Sequence, residues 1–498
     1  MKMLINGRRT EASDGRTIDV INPANNAFVD TIPMASAADI EEALAASKEG
    51  LKVWSRTPLR EKECIFERFY QLLEEHKREI LSTLIKESGC SFRNALMQFQ
   101  GLPALFRGYL ESAKRLDGRV LVPGTESGHD GHTERDLQIV THEPIGTVVA
   151  IVPFNASIML FAYKVAPALA AGNSVIAKPP TTNPLAMTMV AELLWQAGVP
   201  GNVLQVVSGS GSVIGDRLIA DPRVDAVTLT GSTDVGLNVA NLMAKRLAPC
   251  ALELGGNDPF IVMDDADLDR AIQEGAFWRF NSAGQVCISP KRFIVHRSLV
   301  DRFTDGALDF ARTIRMGTAV DVDKELDRYL NADFSSFHGQ GMVMNCLISE
   351  KAAKTVEQQV QKTLEQGAQL ITGGKRSGAF FEPTILRTTR DMDIMKDMEI
   401  FGPVMPICAF DTEEEAIDIA NASCFGLSGC VFTRDWKRGM RVAQQVQSGG
   451  VVVNGTGTYR NMMQPFGGYK MSGVGREGFA TLGEMVQEKV IVFKDFYD

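Results

Sequence analysis

The stretch GTVVAIVPFNASIMLFAYKVAPALAAGNSVIAKPP, residues 146–180, is the part of the sequence that decides the fold. GTVVAIVP reads as a short apolar strand, MLFAYKVAPALAAG as a helix that Gly172 ends, and NSVIAKP as a second strand. The alternation continues with the helix LAMTMVAELLWQAG, the strand NVLQVVSG, the helix GSVIGDRLIAD and the strand VDAVTLTGS. Strands and helices that alternate at this spacing are typical of a parallel sheet covered by helices. The sequence therefore predicts an α/β fold.

The ends of these strands predict the position of a ligand site. In parallel sheets of this kind, ligands bind at the carboxyl ends of the strands. Small, polar and glycine residues collect at those ends, which fall at residues 153–155, 178–181, 208–211 and 230–233. We expect these residues to share one edge of the sheet.

The rest of the chain adds further regions around this sheet. Residues 36–117 carry apolar residues at helical spacing, and a second α/β region opens at residue 257 and runs past 430. Residues 118–143 resemble a hairpin arm, and EKVIVFKDFYD at the end reads as a strand without a core of its own. A chain of 498 residues exceeds what one core usually serves, so two or three domains are expected.

Composition excludes several classes of function. A net charge of -9 gives no support for binding to nucleic acid or to an anionic membrane. The eight cysteines form no C-x-x-C pair, which argues against a zinc site or a disulfide scaffold, so no metal is expected and a reducing compartment fits better. The start lacks a signal-peptide core, and no run of about 18 apolar residues is present, so the sequence predicts a cytoplasmic protein.

Two glycine-rich turns and one lysine are candidates for contacts with a nucleotide. VSGSGSVIG and TGSTDVG place small residues ahead of predicted helices, where backbone N–H groups can meet phosphate oxygens. Ordinary turns with capping Ser and Thr residues explain these strings equally well. Lys178, at the end of an apolar strand, could hold ribose hydroxyls or a phosphate, and the alternative is a lysine that reaches the surface.

Three residues together predict a covalent mechanism. Cys287, in GQVCISPKR (284–292), would alone be read as a packed core thiol. Glu253 follows apolar residues, which should raise its pKa toward that of a general base, although a buried ion pair with an arginine is the alternative. Together with Asn155, these residues predict a complete reaction. The thiolate adds to a carbonyl, and the Asn155 amide and the Cys287 N–H donate to the oxyanion that forms. A nicotinamide accepts hydride, and Glu253 activates water.

The chain resembles the NAD(P)-dependent aldehyde dehydrogenase superfamily, of the hydrolytic type, from end to end. The matching strings, in the order of the family, are PFNAS (153–157), AGNSVIAKPP (171–180), TGST (230–233), LELGGNDP (252–259), GQVCISPKR, MEIFGPV (398–404) and PFGGYKMSGVGREG (465–478). The resemblance implies a Rossmann-like cofactor domain, an α/β catalytic domain and a small β arm for oligomerisation into dimers or tetramers. The implied division is 1–121 with 144–252 for the cofactor, 253–440 for catalysis, 441–480 for a return to the cofactor domain with the tunnel loop, and 122–143 with 481–498 for the arm.

The resemblance also assigns roles to individual residues. Catalysis falls to Cys287 as nucleophile, Glu253 as base, Asn155 as oxyanion donor, and Glu477 in proton relay, although Glu477 could equally be a structural acid linked to Arg476. The cofactor, NAD or NADP, would be bound by Ile151, Pro153, Phe154, Lys178, Thr181, Gly211, Gly215, Ser232, Gly255, Glu399 and Phe401. The substrate aldehyde would pass Met159, Tyr163, Val286, Ile288, Tyr459 and Arg460.

Three departures from the family pattern carry predictions. Thr181 stands where a carboxylate often binds both ribose hydroxyls of NAD, so NADP should be tolerated or preferred. Arg460 could bind the distal carboxylate of a small anionic semialdehyde, or it could be a solvated surface residue. The segment 318–346 is longer than usual and is expected to be an enlarged surface loop.

Two other functions remain open at this point. A CoA-acylating aldehyde dehydrogenase would pass the acyl group to a thiol, but Glu253 as a water-activating base argues against it. A silent member of the family would keep the fold as a binding or structural protein. Retention of Cys287, Glu253, Asn155, Lys178 and Glu399 together argues against that alternative.

Overall fold

The structure is a computed structural model that describes residues 1–123, 134–317, 322–330 and 342–497. The helices are α1 Ala37–Trp54, α2 Leu59–Glu75, α3 Lys77–Ser88, α4 Phe92–Ala113, α5 Ser157–Ala171, α6 Leu185–Ala197, α7 Asp216–Ala220, α8 Thr233–Ala244, α9 Leu268–Phe280, α10 Val300–Thr313, α11 Val322–Leu330, α12 Glu350–Glu365, α13 Glu413–Asn421 and α14 Trp436–Gln445.

The strands are β1 Met3–Ile5, β2 Arg8–Thr10, β3 Thr17–Ile21, β4 Phe28–Pro33, β5 Arg119–Leu121, β6 Leu137–Pro144, β7 Thr147–Ile151, β8 Ser174–Lys178, β9 Leu204–Val206, β10 Ala226–Thr230, β11 Cys250–Glu253, β12 Pro259–Val262, β13 Arg292–His296, β14 Arg315–Met316, β15 Val343–Met344, β16 Gln369–Thr372, β17 Arg376–Ser377, β18 Phe380–Phe381, β19 Thr384–Thr388, β20 Val404–Phe410, β21 Phe425–Gly426, β22 Ser428–Phe432, β23 Gly450–Val453, β24 Tyr469–Lys470, β25 Gly473–Val474 and β26 Val486–Phe493.

The first sheet confirms the predicted parallel arrangement. Its strand order is β2-β1-β9-β8-β7-β10-β11-β25, in which β9, β8, β7, β10 and β11 run parallel. Ile151 pairs with Lys178, and Thr230 pairs with Glu253. The carboxyl ends of these strands therefore meet at one edge, as the sequence predicted.

Helix α5 shows why the stretch around β7 and β8 folds as it does. Apart from Ser157 and Lys164 its residues are mostly apolar, and nearly all are buried because the helix is covered by α4 and by the sheet. The helix ends at Gly172, which has a φ of +97°. A Cβ at this position would lie 2.9 Å from Cγ of Pro144, so glycine fits both the left-handed turn and the close approach.

The second sheet is reached directly from the first. Its order is β16-β19-β20-β13-β12-β22-β23, and all its strands except β16 run parallel to their neighbours. β11 ends the parallel part of the first sheet, and β12 begins after residues 254–258 in the middle of the second. α14 and β23 pack in this second sheet region, which therefore continues past the boundary predicted at residue 440.

A three-stranded sheet occupies the position of the predicted arm. β6 pairs with β26 from Leu137 opposite Phe493 to Pro144 opposite Val486, and β5 adds the third strand. Most of β26 is exposed, including Val490, Ile491 and Val492. Residues 124–133 of the predicted arm lie outside the described residues.

The segment predicted as a surface loop contains a packed helix, which corrects that prediction over residues 322–330. Val322 and Leu326 of α11 are buried, and Asp323 accepts hydrogen bonds from Ser82 and Lys86 of α3 at 2.7 and 2.8 Å. Apolar contacts and an ion pair therefore hold α11 on α3. A second difference concerns GSVIGDRLIAD, which the sequence predicted to be one helix. In the structure it begins with a π-helical turn over Gly211–Gly215, and α7 follows.

The described residues contain neither a membrane-spanning helix nor a cluster of metal ligands. Within the described ranges, no helix combines the length and the apolar character that crossing a bilayer requires. Among the same residues, no group of three or more His, Cys, Asp or Glu side chains is placed to hold a metal ion.

Candidate active site

A sharp bend places the loop that carries Cys287, residues 284–291, which we call the nucleophile loop. After α9 the chain passes through Ser282, Ala283 and Gly284 with φ values of 54°, 52° and 73°. Residues with a Cβ in this region each cost roughly 1–2 kcal/mol, so packing must hold the bend. A Cβ on Gly284 would lie 2.2 Å from the carbonyl oxygen of Gly402, which leaves room only for glycine.

Arg279 supplies much of that packing. Its guanidinium is fully buried and donates to the carbonyl oxygens of Gly284 at 2.8 Å and Pro290 at 3.0 Å, at the two ends of the nucleophile loop. It also donates to the carbonyl oxygen of Gly402. A single side chain therefore joins both ends of the nucleophile loop to the loop that follows Glu399.

Cys287 is partly exposed at the middle of this loop. Burial raises the pKa of its thiol to about 12, against an opposing effect of Lys291. The negative charges of Asp258, Glu253 and Glu399 raise the pKa further. A thiol in this state is protonated near neutral pH, so its reaction as a nucleophile requires a base or a positive charge close to the sulfur.

Asn155 reaches the nucleophile loop from the first sheet. Its side-chain amide donates a hydrogen bond of 3.0 Å to the carbonyl oxygen of Gln285, two residues before Cys287. Gln285 is itself held, because its side-chain oxygen accepts from the N–H of Ile348 at 2.9 Å. The structure thus brings together the two residues predicted to handle the thiol and the oxyanion.

Glu253, the last residue of β11, is buried and has no partner for its charge within hydrogen-bonding distance in the described part of the chain. Only 4% of the residue is exposed, and neither carboxylate oxygen makes a hydrogen bond there. Burial, followed by the negative charge of Glu477, raises its pKa well above the ordinary value of a glutamate. The described residues thus show no ion pair of Glu253 with an arginine, and a raised pKa is what the sequence predicted for a general base.

Glu477 lies in the opposite electrostatic situation. Its carboxylate accepts from Lys164 at 2.9 Å, and the guanidinium of Arg460 lies 3.7 Å away. Burial acts to raise the pKa of Glu477, but the two cations outweigh it and lower the pKa. The side chain of Arg476 instead donates to the carbonyl oxygens of Gly468 and Gly475, so Glu477 is not the Arg476-linked acid considered above.

Arg460 is not the solvated surface residue that the sequence left open. Its side chain is 13% exposed, and its guanidinium lies 4.0 Å from the ring centre of Tyr163 and 4.1 Å from that of Phe466. Two of its nitrogens, Nε and Nη2, are buried without a hydrogen-bond partner among the described residues. A guanidinium stacked between two rings keeps its charge and its plane fixed.

The predicted cofactor residues of the first sheet form a cradle at its carboxyl edge. Lys178 is buried, its Nζ donates to the carbonyl oxygen of Pro179 at 3.1 Å, and burial lowers its pKa to about 8, so it does not reach the surface. No heavy atom lies within 4 Å of where a Cβ on Gly211 or Gly215 would stand, and Ser232 begins α8 without a side-chain cap. A buried cation, an open glycine turn and a free helix N-terminus fit a dinucleotide.

The other predicted cofactor residues face this cradle from the second sheet. Glu399 accepts from the N–H of Gly256 at 3.3 Å, and a Cβ on Gly255 would lie 2.4 Å from its second oxygen. The rings of Phe401 and Phe154 meet edge to face at 6.0 Å. Phe154 belongs to the first sheet, where Ile151 and Pro153 lie beside it at the end of β7.

The predicted substrate residues lie on α5, on the nucleophile loop and on the loop that follows β23. Met159 and Tyr163 lie on α5, and Val286 and Ile288 are partly exposed on either side of Cys287. Tyr459 is 67% exposed and lines a groove of about 270 Å³ along β23. The groove lies next to the nucleophile loop, because a Cβ on its lining residue Gly457 would lie 3.3 Å from the carbonyl oxygen of Ile288. The sequence reasoning missed Lys164, Arg279, Lys291 and Phe466, although Lys164 is the single charge in an apolar helix and Lys291 follows Cys287 by four residues.

A partly exposed thiol, a buried carboxylate without a hydrogen-bond partner among the described residues and a dinucleotide cradle lie at the junction of the two sheets, an arrangement that fits a dinucleotide-dependent oxidoreductase. The profile of the aldehyde dehydrogenase family matches residues 10–491. The chain belongs to that family and is an NAD(P)-dependent aldehyde dehydrogenase, which confirms the predicted fold and reaction class.

Relatives and solved structures agree with this assignment. The mitochondrial succinate-semialdehyde dehydrogenase of Arabidopsis thaliana is 36% identical over 95% of this chain and 85% of its own length. The 3-sulfolactaldehyde dehydrogenase of Pseudomonas putida is 35% identical over 95% and 93%, and the NADP(+)-linked succinate-semialdehyde dehydrogenase of Escherichia coli is 34% identical over 95% and 94%.

Among solved structures, an NADP-dependent enzyme of Escherichia coli superposes with a TM-score of 0.90 at 33% identity, covering 99% of this chain and 98% of its own. A betaine aldehyde dehydrogenase of Staphylococcus aureus in complex with NAD+ superposes with a TM-score of 0.90 at 28% identity, covering 100% and 95%.

The paired carboxylates predict a shift in the pH profile. In Glu477→Gln, Glu253 loses a repelling charge while Lys164 and Arg460 lose their counter-charge, so the pKa of Glu253 falls. Because a base acts when deprotonated, the acidic limb of kcat should move to lower pH by about one unit, whatever the change in maximal kcat. The exposed Glu75→Gln serves as control. An acidic limb that stays in place would contradict this account of the two carboxylates.

Proposed function

We propose that this aldehyde dehydrogenase oxidises a small anionic semialdehyde to the dicarboxylic or equivalent acid, with Cys287 as nucleophile and Glu253 as base. The observation that carries the proposal is the placement of Glu253, buried with both oxygens unbonded among the described residues, near a thiol whose pKa it raises. A carboxylate whose pKa is raised is a stronger base toward water than an ordinary exposed glutamate.

The steps follow from the geometry of the chain's own residues. The Cys287 sulfur, once deprotonated, forms a bond to the aldehyde carbon, and the carbonyl oxygen takes up the negative charge. Asn155, whose amide lies at the nucleophile loop through Gln285, is placed to donate to that oxygen. Collapse of this adduct by loss of hydride leaves a thioester on Cys287.

The bound nicotinamide supplies the acceptor for that hydride, and the residues suited to hold the cofactor are Lys178, Ser232, Glu399 and Phe401. Glu253 then removes a proton from water, whose oxygen attacks the thioester carbon. The carboxylic acid leaves, and the electron pair of the broken C–S bond returns to the sulfur. The proton on Glu253 can restore the thiol.

Single substitutions separate the two halves of this reaction. Cys287→Ser should lose turnover by at least about a thousandfold, because removal of an activated nucleophile removes the covalent route. Glu253→Gln should retain a burst of reduced nicotinamide, about one equivalent at 340 nm, and lose steady-state turnover. The exposed Cys64→Ser should behave as the unaltered protein. Acid must form without CoA; a requirement for CoA would establish the acylating alternative instead.

The substrate proposal rests on Arg460. Three relatives are named for aldehydes that carry a second, anionic group, succinate semialdehyde and 3-sulfolactaldehyde. In this chain the fixed guanidinium of Arg460 lies against Tyr163 on α5, on the helix that also carries Met159. Nη2 lies 3.7 Å from Glu477, and Nε makes no hydrogen bond among the described residues, so the guanidinium keeps a charged donor for the distal carboxylate or sulfonate of a substrate.

Arg460→Met tests this with little loss of packing, because methionine fills the space between the two rings. Loss of hydrogen bonds to a charged group, about 1.5–3 kcal/mol, should raise KM for succinate semialdehyde by about 10- to 150-fold. The KM for propanal should change by less than about threefold under the same logic. Arg107→Met, which removes an arginine stacked on Tyr70 outside the site, is the matched control. Equal increases for both aldehydes would contradict a role in binding the anionic end.

The cofactor proposal rests on Thr181. Its hydroxyl donates to the carbonyl oxygen of Gly209 at 3.2 Å, so a small neutral side chain stands where a carboxylate would repel a 2′-phosphate. Lys178 lies three residues earlier, buried at the end of β8. We propose that the protein prefers NADP over NAD.

Thr181→Glu should reverse that preference. The carboxylate repels the 2′-phosphate and accepts from ribose hydroxyls, so the ratio of kcat/KM for NADP to that for NAD should fall by at least about tenfold. Thr182→Glu, at the exposed neighbouring position, should leave the ratio unchanged. A strong preference of the unaltered protein for NAD would refute the proposal before any substitution is made.

We also propose that the protein acts as a homodimer or a homotetramer. β26 is an edge strand with exposed Val490, Val492 and Phe493, and β23 is an edge strand of the second sheet. Exposed apolar edges invite pairing with another strand, and natural proteins usually cover them. A second copy of the chain would cover both edges.

A further inference from the structure

The nucleophile loop and the loop that carries Glu399 are joined by two buried cations. Within the described residues Arg279 donates to main-chain oxygens alone, those of Gly284, Pro290, Ile400 and Gly402. Lys291 differs because it reaches both the main chain beside the sulfur and the carboxylate of Glu399. The family resemblance assigned no role to this lysine.

Lys291 is buried to an unusual degree for a lysine, with 2% of the residue exposed. Its Nζ donates to the carbonyl oxygen of Val286 at 3.3 Å and to that of Cys287, and it lies 3.4 Å from the Oε1 atom of Glu399. The main-chain N–H of Lys291 donates to the carbonyl oxygen of Asp258 at 3.0 Å. A buried ammonium group needs partners of this kind to offset the loss of water, so the position of Nζ is well determined.

A positive charge near Cys287 favours its thiolate, which the surrounding carboxylates disfavour. Three carboxylates face Cys287, namely Asp258, Glu253 and Glu399, and all three oppose formation of a thiolate. Lys291 is the cation whose charge acts against them at the sulfur. The same ammonium group fixes one oxygen of Glu399 and leaves the other over Gly255, at the cofactor cradle.

We propose that Lys291 is a positioning residue of the reaction: it holds the nucleophile loop and Glu399 in one arrangement and provides the positive charge that favours the thiolate of Cys287. The inference rests on the proposed role of Cys287 as nucleophile. It adds a residue whose charge links the sulfur to the cofactor carboxylate.

The reactivity of the thiol tests this without cofactor or turnover. The rate at which iodoacetamide alkylates Cys287 is followed from pH 6 to 11 by mass spectrometry of the chymotryptic peptide, which separates it from the other cysteines. In Lys291→Met the pKa of the thiol should rise by about one unit, because a nearby cation is lost. Since that pKa lies above the pH range used, the rise is measured as alkylation about tenfold slower at each pH, including pH 8. Lys291→Arg should keep most of the unaltered reactivity.

Two further variants make the result decisive. Lys291→Gln can still donate to the carbonyl oxygens of Val286 and Cys287 without a charge, so it should fold even if Lys291→Met does not, and it should show the same rise. Lys437→Met removes an exposed lysine on α14 and should leave the profile unchanged. An alkylation profile of Lys291→Gln that matches the unaltered protein would overturn the proposal.

This outcome is separate from the fate of the proposed function. If Cys287→Ser kept full turnover, the nucleophile would be wrong, whereas the alkylation profile would still report whether Lys291 controls the thiol. If Cys287→Ser is inactive and the Lys291→Gln profile is unshifted, the function stands and the positioning role fails.

Discussion

The passage of the chain from one sheet to the other is the constraint on which the site depends. β11 closes the parallel part of the first sheet, and residues 254–258 lead directly into β12 at the middle of the second. Glu253 is fixed at this crossing by its pairing with Thr230. Any group held by both sheets must lie beside it. The residues suited to a dinucleotide belong to the first sheet and the nucleophile loop to the second, so the proposed hydride transfer from a substrate on Cys287 would take place at this junction.

Within the junction, the surroundings of Glu253 and Glu477 shift the pKa values of the two carboxyl groups in opposite directions. Lys164 and Arg460 lower the pKa of Glu477, whereas burial and the negative charge of Glu477 raise the pKa of Glu253. Pairs of acids whose environments separate their pKa values are a common way to obtain a base near neutral pH. Arg460 takes part in this balance and also stacks on Tyr163, so the side chain that we propose to bind the substrate also influences the pKa of Glu253.

The sequence was sufficient for the parallel sheet and for most residues of the site, because alternating apolar strands and short glycine motifs act locally. It was insufficient where a residue's environment comes from distant parts of the chain. Nothing near Lys291 in sequence indicates that it would meet Glu399, and the burial of Arg460 depends on rings contributed by two other segments. Helix α11 was missed for another reason: Val322, Leu326 and Leu330 recur every four residues, a helical pattern hidden by the polar residues between them.

The left-handed bend at Gly284 restricts how this protein can be re-engineered. Because the Gly402 carbonyl occupies the space that a side chain on Gly284 would need, the two segments are complementary in shape as well as joined by Arg279. If the nucleophile loop of a relative were introduced alone, its backbone would not fit against the segment around Gly402. Loop exchange between relatives should therefore move residues 279–291 and 399–402 as one block, a unit of inheritance defined by contact and not by chain continuity.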